Sequence, residues 1–152
     1  MAASRARFKV LAAGRRWGKS SLGVILALRT GLEGGRAWWV APTYPIAQLG
    51  WRVLKQLSRK IPGVEIREDD RIVRLPGGGE IQVKSADNPD SLRGAGLDGV
   101  VLDEAAYVKE EAWTESLRPA LADRQGWALF ISTPNGLNWF HRLYERARQL
   151  AG

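Results

Sequence analysis

The chain of 152 residues has the length of one ordinary domain, and with 45% hydrophobic and 26% charged residues it is not a disordered chain. The absence of cysteine excludes a disulfide scaffold, thiol catalysis and cysteine-ligated zinc or iron–sulfur centres. The net charge of +7 is uneven: residues 1–60 hold 12 Lys and Arg against one acid, Glu33, and residues 61–152 hold 11 against 15, which fits either a polyanionic partner for the first part or a solvated basic surface.

In chain order, the apolar run Phe8–Ala12 predicts a buried strand, and Lys19–Thr30 predicts a helix, apolar nearly all round and ended by Gly31. The longest apolar run, Leu22–Leu28, is far short of the ~20 residues that span a bilayer, so no membrane segment is expected. Ala37–Ala41 predicts a second buried strand. Ile46–Ile61 predicts an amphipathic helix, with Ile46, Leu49, Val53, Leu57 and Ile61 on one face and Arg52, Lys55 and Arg59 on another. Arg71–Leu75 and Glu80–Ser85 flank Pro76-Gly77-Gly78-Gly79, the pattern of an antiparallel edge hairpin. Gly99–Leu102 predicts a third buried strand, Glu110–Leu117 a helix, Pro119 a further short turn, and Ala128–Ser132 a fourth buried strand. A last helix is expected from Asn138, a suitable N-cap, to the end. Strands alternating with helices imply a parallel α/β sheet covered on both faces. Trp38, Trp127 and Trp139 are expected to pack in or on its core.

Ala13-Gly14-Arg15-Arg16-Trp17-Gly18-Lys19-Ser20, followed by Ser21, fits a P-loop with Ala for the first Gly. It follows a predicted strand and opens a predicted helix, as its mechanism requires. Gly14 and Gly18 let backbone N–H groups converge on phosphate oxygens at a helix N-terminus. Lys19 would reach the β- and γ-phosphates, and Ser20 would ligate Mg²⁺. Either Arg15 or Arg16 can lean over the γ-phosphate or stand solvated, and Trp17 can pack against the nucleotide side. Val100-Val101-Leu102-Asp103-Glu104 is an apolar strand ending in two acids. Asp103 is placed to hold Mg²⁺ and Glu104 to orient and deprotonate the attacking water, which argues for hydrolysis. After the fourth strand, Ser132-Thr133-Pro134-Asn135-Gly136 is turn chemistry, and Thr133 or Asn135 can also sense the γ-phosphate.

Together these residues resemble the ATPase domain of phage terminase large subunits. The resemblance runs through Gly14–Ser20, Ala41-Pro42-Thr43-Tyr44-Pro45, Pro89-Asp90-Ser91-Leu92-Arg93-Gly94, Val101–Ala106, Arg118-Pro119-Ala120-Leu121 and Ile131–Gly136. It implies an α/β P-loop NTPase of the additional-strand, RecA-like kind: a mainly parallel central sheet, helices on both faces, and an antiparallel edge hairpin near 71–85. Residues 1–152 would form one ATPase domain, and the family's C-terminal nuclease domain, with its DNA cleavage, is not expected from this chain. The resemblance also implies ATP and Mg²⁺ as cofactors, with Lys19 and Ser20 binding MgATP, Asp103 holding the metal and Glu104 as base. Arg93 would act as an arginine finger in a neighbouring subunit's site, and Ser132, Thr133, Pro134 and Asn135 would form a coupling motif. The implied activity is translocation of double-stranded DNA into a procapsid. The implied partners are that DNA, bound without sequence preference, a homo-oligomeric ring, the portal and the small terminase subunit, in the cytoplasm of an infected bacterial host. Arg52, Lys55 and Arg59, or Arg71 and Arg74, are the candidate DNA contacts. A helicase-type translocase and a non-catalytic DNA-binding P-loop module are the alternative readings.

Overall fold

The segment Ala37–Ala41 is apolar on both sides of its backbone, and it lies inside the sheet with neighbours on both edges. The computed structural model describes residues 7–12, 17–132, 142, 145 and 146, with backbone alone at 12 and 17–20. In chain order these form β1 (Phe8–Ala12), α1 (Trp17–Leu32), β2 (Arg36–Ala41), α2 (Tyr44–Ser58), β3 (Glu65–Arg67), β4 (Ile72–Arg74), β5 (Glu80–Ser85), β6 (Gly99–Asp103), α3 (Arg118–Ala122) and β7 (Trp127–Ser132). The sheet order is β1-β7-β6-β2-β5-β4-β3. From β1 to β5 every pair is parallel; β4 pairs antiparallel with both β5 and β3. The additional strand, β7, therefore stands between β1 and β6, and the predicted hairpin is β4–β5.

Alternation sorts each central strand between two cores. Ala37, Trp39, Ala41, Val101, Leu129 and Ile131 face α1 and α2. Trp38, Val40, Val100, Leu102, Ala128 and Phe130 face the chain between β5 and β7. Each fully buried Val, Leu, Ile or Phe contributes about 1.5–3 kcal/mol. On that second face Trp113 meets Phe8 and Phe130 edge-on, at centroid distances of 5.2 and 4.8 Å.

Five expectations need correction. Phe8–Ala12 forms a strand but not a buried one: it ends the described sheet, paired with β7, and Phe8 to Leu11 are half-buried. Gly31 does not end α1; the helix continues to Leu32 and closes on Gly34, whose φ of 90° is the left-handed position of a Schellman cap. There Gly35 N–H donates to the Thr30 carbonyl at 2.9 Å and Gly34 N–H to that of Gly31 at 3.0 Å. On α2 the buried face is Ala47, Gly50, Trp51, Leu54 and Ser58, while Leu49 is 58% exposed. Gly50 lies on that face beside Trp51 and Leu54 because the helix rests directly on Trp39 there: a Cβ at Gly50 would come within 2.9 Å of Trp39 Cδ1. Strand β3 was not predicted; Glu65-Ile66-Arg67 has one apolar residue and is a strand through its pairing with β4. Finally, Pro119 starts no separate turn. The helix spans 110–122, with a π segment at Ala112–Leu117 that hands on to α3. Pro119 has no N–H to give Glu115, and Arg118 N–H donates five residues back, to Trp113.

The start of the helix expected from Asn138, and Trp139, lie outside the described residues. Among the described residues no helix is long and apolar enough to cross a membrane.

Glu68 fastens the β3–β4 turn to α2. It accepts from Trp51 Nε1 at 2.9 Å and from Lys55 Nζ at 2.9 and 3.1 Å. The Lys55 hydrogen bond, then that of Trp51, lowers its pKa below the ordinary glutamate value. A carboxylate with a depressed folded pKa stabilises the fold above its unfolded value, and that contribution goes as pH falls through the folded one. Glu68→Gln is therefore expected to flatten the fall of the urea midpoint from about pH 4.3 downward, measured as unfolding midpoint against pH.

Candidate active site

The parallel strands β1, β7 and β6 end together. In register Ala12 lies opposite Ser132, and Ile131 opposite Asp103. With strands ~4.8 Å apart, the end of β1 is about 10 Å from the end of β6. The chain leaves β1 at Ala12 and re-enters regular structure at Trp17 as α1, so α1 begins at this same edge. Its first turn contains no acidic residue of its own to offset the positive end of the helix. Carboxyl ends of parallel strands are where α/β folds place ligands.

Beyond Asp103 the chain breaks from the sheet. Glu104 has φ 47° and ψ 51°, a left-handed conformation that costs a non-glycine residue about 1–3 kcal/mol. The 3-10 turn Ala105–Tyr107 follows, closed by Tyr107 N–H on the Glu104 carbonyl at 2.9 Å. Asp103 and Glu104 are both half-buried. Ser132 Oγ accepts from Ala106 N–H at 3.4 Å, tying the end of β7 to this turn.

The Asp103 carboxylate at this edge is a hard oxygen donor of the kind Mg²⁺ takes. No group of three or more His, Cys, Asp or Glu side chains able to hold a metal occurs among the described residues. Mg²⁺ in phosphate chemistry characteristically takes one or two protein oxygens and fills its octahedron with phosphate and water. Asp103 supplies one such hard oxygen donor at the strand end. Ser20 lies on the first turn of α1 by its backbone; its side chain, like those of Trp17 and Lys19, is outside the described part, as is Gly18 beyond its helical backbone. Ala13, Gly14, Arg15, Arg16, Thr133, Pro134 and Asn135 are outside the described residues altogether. Ser21 is described and half-buried in α1.

Arg93 follows the 3-10 turn Pro89–Leu92, with its side chain 67% exposed and 4.0 Å from Asp90. Nothing in the described contacts ties it to Asp103 or Glu104 of its own chain. The predicted basic surface splits up. Arg52 and Arg59 are exposed. Lys55 is not part of an open face; it is held by Glu68, with its ammonium 5.5 Å from the Trp51 ring centre. Arg71, at φ 54°, stacks on Tyr44 at 4.6 Å and donates to Gln48 Oε1 at 3.3 Å, and Arg74 lies 3.9 Å from Glu80.

One feature had no signal in the sequence. A cavity of about 380 Å³ beside β5 is lined by Tyr44, Arg71, Lys84, Ser85, Asp87 and Ser91, among others. Lys84 donates to the Ser91 carbonyl at 2.9 Å and lies 4.6 Å from the Trp38 ring centre; burial, then the Arg71 charge, lowers its pKa. Strand alternation alone does not mark such a lysine.

Comparison with known proteins agrees with this geometry. Residues 10–151 match the family model for the terminase large subunit, T4likevirus-type, N-terminal. The terminase large subunit of Thermus phage G20c is 39% identical over 163 residues, covering 93% of this chain and 34% of that protein. That of Escherichia phage T5 is 37% identical over 145 residues, covering 92% and 33%. The solved large terminase ATPase domain of Thermus phage P74-26 superposes with a TM-score of 0.76 at 38% identity, covering 92% of this chain and 64% of that one. The chain thus spans about a third of the length of the curated relatives it matches.

Proposed function

The chain belongs to the family of T4likevirus-type terminase large subunits, matching its N-terminal part, and from that premise we propose that it is the ATP-hydrolysing motor domain of a viral DNA-packaging terminase. One observation carries the reading: the register that brings the ends of β1, β7 and β6 to one edge beside the start of α1. Residues 13–18 then cradle the phosphates with backbone N–H groups, Lys19 reaches the β- and γ-phosphates, and Arg15 and Arg16 add charge at the γ-phosphate. Mg²⁺, held by Ser20 and Asp103, neutralises phosphate charge when bound. Glu104 orients the attacking water and takes its proton.

Arg93, exposed and tied among the described residues to Asp90 on its own loop, supplies the charge for another subunit's site in a homo-oligomeric ring. Ser132, Thr133, Pro134 and Asn135 couple hydrolysis to movement of double-stranded DNA into a procapsid, in concert with portal and small terminase subunit inside the infected bacterium. Arg52 and Arg59 are the DNA-binding side chains this surface offers. Such arginines pair with phosphates, so binding is blind to sequence, and replacing either one by alanine lowers the salt slope by ~0.9.

The test is phosphate release with and without duplex DNA over a range of protein concentrations. Turnover is expected to need Mg²⁺, to rise with DNA, and to climb faster than linearly with protein as shared sites form. No turnover under any of these conditions, or separation of a forked duplex as the sole activity, would count against the proposal.

A further inference from the structure

The chain between β5 and β6 carries Arg93 and is fastened on both sides of it. Before it, Leu92 is fully buried in the core that holds Trp38, Leu97 and Leu117; after it, Leu97 N–H donates to the Ala120 carbonyl at 2.9 Å. One residue before Leu92, the Ser91 carbonyl accepts from Lys84 Nζ at 2.9 Å, and Ser91 Oγ donates to the Asn88 carbonyl at 2.7 Å. Arg93 itself is extended, at φ −91° and ψ 153°, and Gly94 follows in a left-handed conformation at φ 81°. The Arg93 guanidinium lies 4.0 Å from Asp90 with both side chains mostly exposed, a pairing that water screens and that holds an arginine weakly. The backbone under Arg93 is thus pinned, and its side chain is lightly held. Lys84 stands on β5 opposite Val40, and Val40 stands opposite Leu102 on β6, so one row of the sheet runs from Lys84 to the residue before Asp103. Strands ~4.8 Å apart make that row about 10 Å long. The described contacts of the Lys84 ammonium are the Ser91 carbonyl and the face of Trp38, 4.6 Å from the ring centre. Burial works against a cation there and lowers its pKa; what the cation engages in that place is the turn that leads to Arg93.

We propose that Lys84 is a positioning residue for Arg93: by holding the Ser91 carbonyl it fixes the turn Pro89–Leu92 against the end of β5 and sets where the arginine stands when it enters a neighbouring subunit's ATP site. The inference rests on the reading of Arg93 as a finger acting between subunits. An exposed arginine on a slack loop must be ordered each time it engages, and one displaced by about an ångström stabilises the transferring charge poorly. Lys84 and the pair Asp103–Glu104 stand on one sheet. The group a chain lends to its neighbour is therefore mounted on the same strands as the base it keeps for itself.

The experiment measures ATP turnover with duplex DNA, at protein concentrations where turnover per chain has levelled off. It compares the full chain with Lys84→Met, Lys84→Arg, Arg93→Ala and the double variant Lys84→Met with Arg93→Ala. Methionine keeps an unbranched apolar side chain on Trp38 and offers no donor; arginine keeps a donor and stacks on the indole. Lys84→Met should lower kcat about 10- to 100-fold with KM unchanged within about twofold, and Lys84→Arg should recover most of the loss. Lys84→Met should cost nothing further once Arg93 is Ala. The loss should also be repaired between chains. Lys84→Met chains keep their own ATP site and Glu104→Gln chains keep a well-placed arginine, so an equal mixture should turn over ATP several-fold faster than the average of the two alone, which a lysine needed for folding alone would not produce. An unchanged kcat in Lys84→Met, a loss that persists in the Arg93→Ala background, or a mixture no faster than that average would overturn this inference and leave the arginine finger standing. Full turnover in Arg93→Ala would overturn the finger itself.

Discussion

Glu104→Gln is expected to lower ATP turnover by about 10²–10⁴-fold, the range for losing a positioned general base, while nucleotide affinity stays within a few fold. The substitution keeps the size and one oxygen of the side chain, so it tests proton transfer and not packing. Because Asp103 precedes it on β6 and is unaltered, the oxygen proposed to hold Mg²⁺ is untouched. The left-handed backbone at Glu104 adds a second arm. Glycine adopts φ 47° without strain, so Glu104→Gly should raise stability by about 1 kcal/mol and still abolish hydrolysis. A variant that is more stable and inactive marks a site where strain is kept for function. Single-turnover phosphate release and calorimetric titration with a non-hydrolysable ATP analogue measure the two quantities separately. Turnover within threefold of the unaltered chain in Glu104→Gln would remove the base from the mechanism.

The central strands Arg36–Ala41, Gly99–Asp103 and Trp127–Ser132 were legible to within a residue because a strand buried on both faces reads as an apolar run; Phe8–Ala12, at the end of the sheet, and Glu80–Ser85, which alternates, also match their predicted limits. The buried face of α2 was not legible, because periodicity ranks Leu49 above Gly50, whereas packing on Trp39 rewards the residue without a side chain. Strand β3 and the Lys55–Glu68 pair are set by partners distant in sequence, and neither leaves a local pattern. Asp103–Glu104 could be read as a strand ending in two acids, since both facts are local. The left-handed turn and the bond from Ala106 to Ser132 could not, because they depend on β7 standing beside β6. What the sequence conveys best is thus the residue type at the site, and what the fold adds is how each residue is held.

Gly79→Ala is expected to destabilise the chain by about 4 kcal/mol, near the top of the range for single substitutions. Gly79 is buried at the end of the β4–β5 turn, where its carbonyl accepts from Leu75 N–H at 2.9 Å. A Cβ there would lie 2.6 Å from the carbonyl carbon of Gly31 and 2.8 Å from its Cα, and closer still to the oxygen. Those are backbone atoms of the last turn of α1, and backbone cannot rotate away as a side chain can. The hairpin or the helix must move, and either movement opens the core between α1 and β5 around Leu75 and Ile81. Gly78→Ala is the control: nothing stands within 4 Å of its Cβ, so only the cost of φ 98° remains, about 1–2 kcal/mol. Urea unfolding should show a lower midpoint at constant slope for both, much lower for Gly79→Ala. Because α1 carries Lys19 and Ser20 on its first turn, any Gly79→Ala protein that still folds should also bind ATP more weakly, whereas Gly78→Ala should not. Equal midpoints for the two variants would show that the close approach of hairpin and helix does not govern where α1 sits.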